Sequence, residues 1–245
     1  MKLTFLGTRG YIGPSTRRHR YYTSLLVEYL GRRVMVDCGE GWQKRWDALN
    51  PEAIVITHAH PDHAFALRAS VPPCPVYAAA AAWKPMEDFA VPPELRHTLK
   101  IREPRKLCGI EFQPFSVIHS TRAPAVGYRI SAGRVSVFYV PDVVWIHGRN
   151  TALRGTQAYI GDGATLHRSM VRREKKTGKL VGHSTIAQQL TWCRKEGVPR
   201  MIVTHCGSDI VAADERKVGA ELRRLAAERG VEVEIAHDGM ERVLR

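Results

Sequence analysis

Negative charge is in short supply: the 245 residues carry 24 Asp and Glu against 37 Lys and Arg, which leaves a formal charge of +13 and a pI near 9.8. Such a surface is biased toward anionic partners, because clustered Lys and Arg attract phosphates. Charge alone does not choose among RNA, DNA and nucleotides, and a solvated Arg-rich surface gives the same balance. Long apolar runs are also missing. Nothing reaches the roughly 18 successive apolar residues of a membrane helix, and the opening MKLTFLGTRG has no apolar stretch followed by a cleavage site. A cytoplasmic protein without membrane attachment is expected. There is no CxxC pair among the five cysteines, Cys38, Cys74, Cys108, Cys193 and Cys206. An odd number without pairing suits reduced thiols buried as small hydrophobes. No repeat, low-complexity tract or linker marks a boundary, so residues 1–245 are expected to form one domain.

What is present is a series of short β-branched and apolar runs. Strands are expected at Leu3 to Gly7, Ser24 to Leu30, Arg32 to Cys38, Ala53 to Thr57, Phe112 to Ile118, Val126 to Ser131, Val135 to Val140, Ala158 to Gly161, Met201 to Thr204 and Val231 to Ala236. Helices are expected at Thr185 to Glu196, with Ser184 as N-cap and Gly197 and Pro199 beyond its end, and at Asp214 to Arg229 before Gly230. The alanine run from Ala78 to Ala82 reads as a helix start.

Several expected strands run directly into a polar residue. The sharpest case is AIVIT, which delivers Thr57-His58-Ala59-His60-Pro61-Asp62-His63. Three imidazoles and a carboxylate within six positions, on a turn after a strand, can aim at one point, and these are the ligand types that zinc and related divalent ions take. A lone histidine is more often a satisfied polar residue; this grouping is not lone. His19, His97, His147, His167 and His237 lack such placement, although His19 lies in the basic run Arg17-Arg18-His19-Arg20.

The run His58-Ala-His-Pro-Asp-His63 resembles the HxHxDH signature of the metallo-β-lactamase superfamily. Asp37 in MVDCGEG, His119 in FSVIHS, Asp142 in VFYVPD and His205 in MIVTHCG resemble its other motifs, in the same order. The resemblance implies an α/β fold, a four-layer αββα sandwich of two face-to-face sheets with helices outside. It also implies two divalent metal ions, Zn or Mn. One would be held by His58, His60 and His119, the other by Asp62, His63 and His205, with Asp142 bridging them and Asp37 orienting the cluster from behind. Two such ions about 3.5 to 4 Å apart can share a water, lower its pKa and clamp the attacking and leaving oxygens of a displacement at phosphorus. Asp62 lies beside the expected place of that water and is expected to take its proton.

Within the superfamily, the stretch from Gly182-His-Ser-Thr185 to Thr204-His-Cys-Gly207, and the opening Phe5-Leu-Gly-Thr8, resemble the ribonuclease Z branch. The closing His237-Asp-Gly-Met-Glu241 is similar to phosphodiesterases that act on cyclic phosphate sugars. By that resemblance His183 is the general acid. Two features depart from ribonuclease Z. Gly163 stands where that branch has a glutamate orienting its histidine, leaving Asp162, one residue earlier, as the substitute. The interval from His119 to Asp142 (142 − 119 = 23) is too short to hide the tRNA-binding arm.

The expected function is therefore a metal-dependent phosphodiesterase acting on nucleic acid or a nucleotide-like substrate. Arg17, Arg18 and Arg20 are candidate substrate contacts, and the basic run Arg168 to Lys179 reads either as a phosphate-gripping flap or as a solvated loop. The same metals would serve thioester or other acyl hydrolysis, and a nucleic-acid-binding protein with little activity is the non-enzymatic alternative. Self-association into a homodimer is left open by the sequence.

Overall fold

Alternation along the strands sorts the apolar side chains into separate layers. The computed structural model describes residues 1–43 and 45–245. In chain order, β1 (Lys2–Gly7), β2 (Ser24–Tyr29), β3 (Arg32–Val36), β4 (Ala53–Ile56), β5 (Val76–Ala79) and β6 (Arg96–Leu99) belong to one sheet. The second sheet contains β7 (Arg105–Leu107), β8 (Ile110–Ile118), β9 (Ala125–Ala132), β10 (Val135–Val140), β11 (Trp145–Ile146) and β12 (Ala158–Asp162). After a small hairpin of β13 (Arg172–Arg173) and β14 (Leu180–Val181), it is completed by β15 (Arg200–Thr204) and β16 (Glu232–Ile235). The chain then returns to the first sheet as β17 (Met240–Val243), beside β1.

Phe5, Val34, Val36 and Val55 of the first sheet share a buried cluster with Phe112, Tyr128, Val137 and Tyr139 of the second. The neighbours one position away face outward: Met35, Ile54 and Ile56 pack on Leu67 and Ala82, while Phe138 and Val140 pack on Leu190 and Leu222. A period of two thus gives each sheet two buried faces. Helices Ala66–Ala69 and Ala80–Trp83 lie outside the first sheet, and helices Ile186–Glu196 and Glu215–Ala227 outside the second. The result is the expected four-layer αββα sandwich. Fully burying one such apolar side chain is worth about 1.5–3 kcal/mol, so the three interlayer clusters dominate the favourable side.

Topology brings the chemistry to one edge. β3 and β4 are parallel, as are β10, β12 and β15, so their carboxyl ends lie side by side. Asp37, His58, Asp142 and His205 come directly or within two residues after four of those strands, and Asp162 ends a fifth. β8 and β10 both run antiparallel to β9, which puts His119 at the same edge. The sheets are also pinned to each other there: Tyr128 Oη donates to the Ile56 carbonyl at 2.8 Å, and the Val126 amide to the Thr57 carbonyl at 3.1 Å.

The local expectations needed four corrections. The alanine run is divided, with Ala78 and Ala79 closing β5 before the helix starts at Ala80. Thr185, not Ser184, caps the helix Ile186–Glu196, its hydroxyl accepting from the Gln188 amide; the Ser184 hydroxyl donates instead to the Val144 carbonyl. β3 ends at Val36 because Asp37 turns to a left-handed backbone, φ 62°. Strands at β5, β6, β7 and β17 carry too little β-branched patterning to be read as strands from sequence.

Candidate metal centre

Two turns set the geometry. Asp37 and His205 are both non-glycine residues with positive φ, 62° and 51°, a conformation that costs about 1 kcal/mol or more and has to be imposed by surrounding contacts. Behind Asp37 the turn is tight, since a Cβ added at Gly39 would sit 2.1 Å from the Asp62 carbonyl oxygen. Only glycine lets the Asp37 turn press against the histidine turn.

Asp37 is fully buried and organises what lies in front of it. Its carboxylate accepts the Thr57 amide at 2.7 Å, the Thr57 hydroxyl at 2.8 Å and His63 Nδ1 at 2.8 Å. The Thr57 hydroxyl has one proton and gives it to Asp37, so toward His58 Nδ1, 3.0 Å away, it accepts. His58 is thereby held with Nδ1 protonated and Nε2 presenting a lone pair, and His63 donates from Nδ1 to Asp37 with Nε2 aimed at the cluster. His119 is fixed in the same tautomer by the Gly182 carbonyl, 3.0 Å from its Nδ1. Thr57 and the Gly182 carbonyl were not singled out in the sequence; a hydroxyl directly before an HxH run was the available signal for the first.

Those lone pairs converge. His60 Nδ1 lies 3.0 Å from His58 Nε2 and 3.2 Å from His119 Nε2. Asp62 Oδ2 lies 3.1 Å from His205 Nε2 and 3.3 Å from His63 Nε2. Asp142 stands between the two groups. Its Oδ2 is 2.8 Å from His63 Nε2 and 3.8 Å from His58 Nε2, and its Oδ1 is 3.6 Å from His119 Nε2 and 3.4 Å from His205 Nε2. Despite this crowding, His63 Nε2 and Asp142 Oδ2 are buried without a hydrogen bond. Orphaned buried polar atoms are costly unless a cation satisfies them. All seven residues expected as ligands are thus brought together, in sets whose donor atoms lie within 4.8 Å of one another.

Electrostatics fit a cation as well. Burial holds His58 well below the ordinary histidine range and pushes His60 down to about 4, and His119 is lowered by the same cause. That triad is neutral, as metal ligation requires. At the other group burial opposes charge, but the surrounding aspartates outweigh it. Asp62, Asp142 and Asp37 raise His63 well above its ordinary value, and Asp142, Asp162 and Asp62 lift His205 to about 10. Asp62 and Asp142 are in turn held well below the carboxylate range, against burial, by the histidines. The carboxylates draw positive charge to this spot, and a divalent ion would supply it.

His183 sits at the open side, with its side chain 16% exposed, its ring stacked on His205 at 5.5 Å and 4.9 Å from that of His119. Its Nδ1 is 2.8 Å from Asp162 Oδ2, so Nε2 is the atom presented outward. Asp162 is itself anchored, accepting from the Val143 and Ala164 amides at 2.9 Å each. Burial works against a charged His183, but Asp162 raises its pKa. Gly163 cannot be exchanged for a longer residue in place, because a Cβ there would lie 2.6 Å from the Thr204 carbonyl oxygen.

A cavity of about 780 Å³ opens beside His119, lined by Leu99, Ile101, Val117 and Val126 and flanked by Lys100 and Lys179. Lys179 is the part of the basic run 168–179 that reaches it. Arg17, Arg18 and Arg20, expected to meet substrate, do not line it. Arg18 pairs with Glu215 at 2.9 Å, and Arg17 and Arg20 border a separate hollow with Tyr21 and Asp238. The Asp238 carboxylate takes the Arg20 and Tyr21 amides at 2.7 and 2.8 Å and ties that loop to the C-terminal turn.

Residues 32–206 match the model of the β-lactamase superfamily domain. A ribonuclease Z of Lachnospira eligens is 30% identical over 162 residues, which is 57% of this chain and 51% of that one. The chain spans between 16% and about half (51%) of the length of such curated relatives. The metallo-β-lactamase fold protein YhfI of Bacillus subtilis superposes with a TM-score of 0.74 at 17% identity over 98% of both chains. The short form of human tRNase Z gives 0.67 at 20% identity over 100% of both. None of the described helices is long and apolar enough to cross a membrane.

Proposed function

The chain belongs to the β-lactamase superfamily, and on that basis we propose that it is a metal-dependent phosphodiesterase acting on nucleic acid or a nucleotide-like phosphodiester. The observation that carries this reading is His183: an imidazole held by Asp162 at 2.8 Å, at the open side of the His and Asp cluster, where a leaving oxygen would need a proton. Its relatives named ribonuclease Z, and the surplus of positive charge, support the same substrate chemistry.

His58, His60 and His119 would hold one divalent ion and Asp62, His63 and His205 a second, with Asp142 shared; Zn and Mn both suit such nitrogen and oxygen donors. When bound, the ions supply Lewis acidity and a water of lowered pKa. The chain's own residues do the rest. Asp37 and Thr57 fix the tautomers of His63 and His58. Asp62 accepts a proton from the attacking water. As the bond from phosphorus to the leaving oxygen breaks, His183 gives that oxygen a proton from Nε2, and Asp162 holds the ring in the correct tautomer and stabilises its charged form.

The test compares bis(p-nitrophenyl) phosphate with a thioester under added Mn²⁺ or Zn²⁺. Phosphodiester turnover that a chelator abolishes and metal restores is the expected result. Turnover of the thioester alone would overturn the phosphodiesterase reading in favour of acyl hydrolysis, and no bound ion on metal analysis would point to a binding protein.

A further inference from the structure

The cavity beside His119 is set apart from the metal ligands by its chemistry. Most of its lining is apolar, with Leu99, Ile101, Val117 and Val126, and Thr98 and Ser116 are among its polar residues. About 780 Å³ falls within the range of roughly 300–1,000 Å³ typical of small-molecule sites, and is too small for a folded RNA surface. His119 belongs to both places: it lines the cavity, and its Nε2 is 3.2 Å from His60 Nδ1. A group lying in the cavity is therefore one imidazole away from the cluster.

Two exposed lysines also line the cavity. Lys100 comes from the end of β6, and Lys179 from the hairpin of β13 and β14. That hairpin is fastened to the segment carrying His119 at two points: Glu174 accepts the Thr121 hydroxyl at 2.8 Å, and the Gly182 amide donates to the His119 carbonyl at 2.9 Å. The basic run, exposed along most of its length, thus brings one lysine, Lys179, to the cavity.

We propose that this cavity is a base-binding subsite, taking the nucleobase of a small phosphodiester that has a nucleoside as one ester arm, with Lys100 and Lys179 attracting its phosphate. The inference rests on the phosphodiesterase reading and narrows it. A flat heteroaromatic ring matches such a lining, with apolar faces for Leu99, Ile101, Val117 and Val126 and a polar edge for Thr98 or Ser116. A purely alkyl arm would leave those polar residues facing carbon.

Two readouts test it. The metal-loaded protein is assayed for kcat/KM on the p-nitrophenyl ester of thymidine 5′-monophosphate and on methyl p-nitrophenyl phosphate, and thymidine 5′-monophosphate binding is measured by calorimetry. Both are repeated on Ala81→Trp and Ala80→Phe, which place bulk in the cavity from exposed positions, after melting curves show them folded. The wild type is expected to favour the nucleoside ester by roughly tenfold or more, the scale on which apolar pockets discriminate. In both variants that preference and the nucleotide binding are lost, while turnover of the methyl ester persists. Equal kcat/KM for the two esters in the wild type, or variants that keep the preference and the affinity, would overturn the subsite. Nucleotide binding abolished by the fillings, in a protein that hydrolyses neither ester, would uphold the subsite and sink the phosphodiesterase reading.

Discussion

Asp162 Oδ2 lies 2.8 Å from His183 Nδ1, a direct contact across 21 positions of the chain. The contact joins the carboxyl end of β12 to the residue after Gly182, and the same carboxylate is fixed by the Val143 and Ala164 amides. Asp162 thus sets both where the His183 ring points and which nitrogen carries the outward proton. Asp162→Asn should keep the shape but lose the charge that raises His183.

His183→Ala is expected to lower kcat by about 10² to 10⁴, the usual range for a positioned acid or base. Metal content, measured by plasma emission, should stay at the wild-type level because His183 is not among the proposed ligands. Asp162→Asn should lie between the two. A substrate with a nitrophenolate leaving group, which needs little protonation, should narrow the loss in both variants. Unchanged kcat in His183→Ala with an alkyl leaving group would remove the role.

Much of this was readable because the chemistry clusters along the chain. His58 to His63 are contiguous, the resemblance those motifs carry implies the αββα arrangement, and a strand such as Val135 to Val140 is observed with the expected bounds. What escaped depends on residues far apart in sequence. Asp238 reaches the Arg20 amide across 218 positions and ties the arginine loop to the C-terminal turn. No local pattern encodes that contact, nor the meeting of Leu99, Val117 and Lys179 at one cavity. Helix capping failed for a smaller reason: Ser184 and Thr185 are both good caps, and which one serves depends on the Val144 carbonyl taking the Ser184 hydroxyl.

Thr57 supports the metal centre without belonging to it. Thr57→Val removes the hydroxyl that donates to Asp37 and accepts from His58, leaving buried partners short of a bond. A stability loss of about 1–3 kcal/mol is expected in denaturant unfolding. Metal affinity should fall about 10- to 100-fold in chelator competition, as for other residues that orient a ligand. Thr57→Ser, which keeps the hydroxyl, should recover most of the affinity; if it does not, packing of the methyl group rather than the hydrogen bonds is responsible.

Gly163 leaves no room for a side chain beside the His205 turn. With a Cβ 2.6 Å from the Thr204 carbonyl, Gly163→Ala should cost about 1–3 kcal/mol by overpacking next to the His205 turn. Gly163→Glu should not rescue Asp162→Ala, since the backbone must shift before a carboxylate could point at His183. Recovery of kcat in that double variant would mean the turn is more adaptable than its contacts indicate.

His19 offers a prediction away from the metal centre. It is buried, its Nδ1 is 2.8 Å from the Thr8 hydroxyl, and that hydroxyl donates to Asp238, so His19 donates from Nδ1 in its neutral form. Burial, then the charges of Arg18 and His237, push its pKa down to about 4 from 6.5. With the folded value below the unfolded one, protons bind the unfolded chain first. The contribution of His19 is therefore complete above pH 6.5, falls as pH drops from 6.5 to about 4, and is flat below. After discounting for solvent screening the loss is on the order of 1–2 kcal/mol. Asp238, whose carboxyl is raised by burial, works in the opposite sense toward the acid end of that window. The informative quantity is the difference between wild type and His19→Asn in urea unfolding from pH 7.5 to 4. The wild type should lose more stability than the variant across that interval; parallel curves would show that His19 titrates alike in both states and that burial does not hold it neutral.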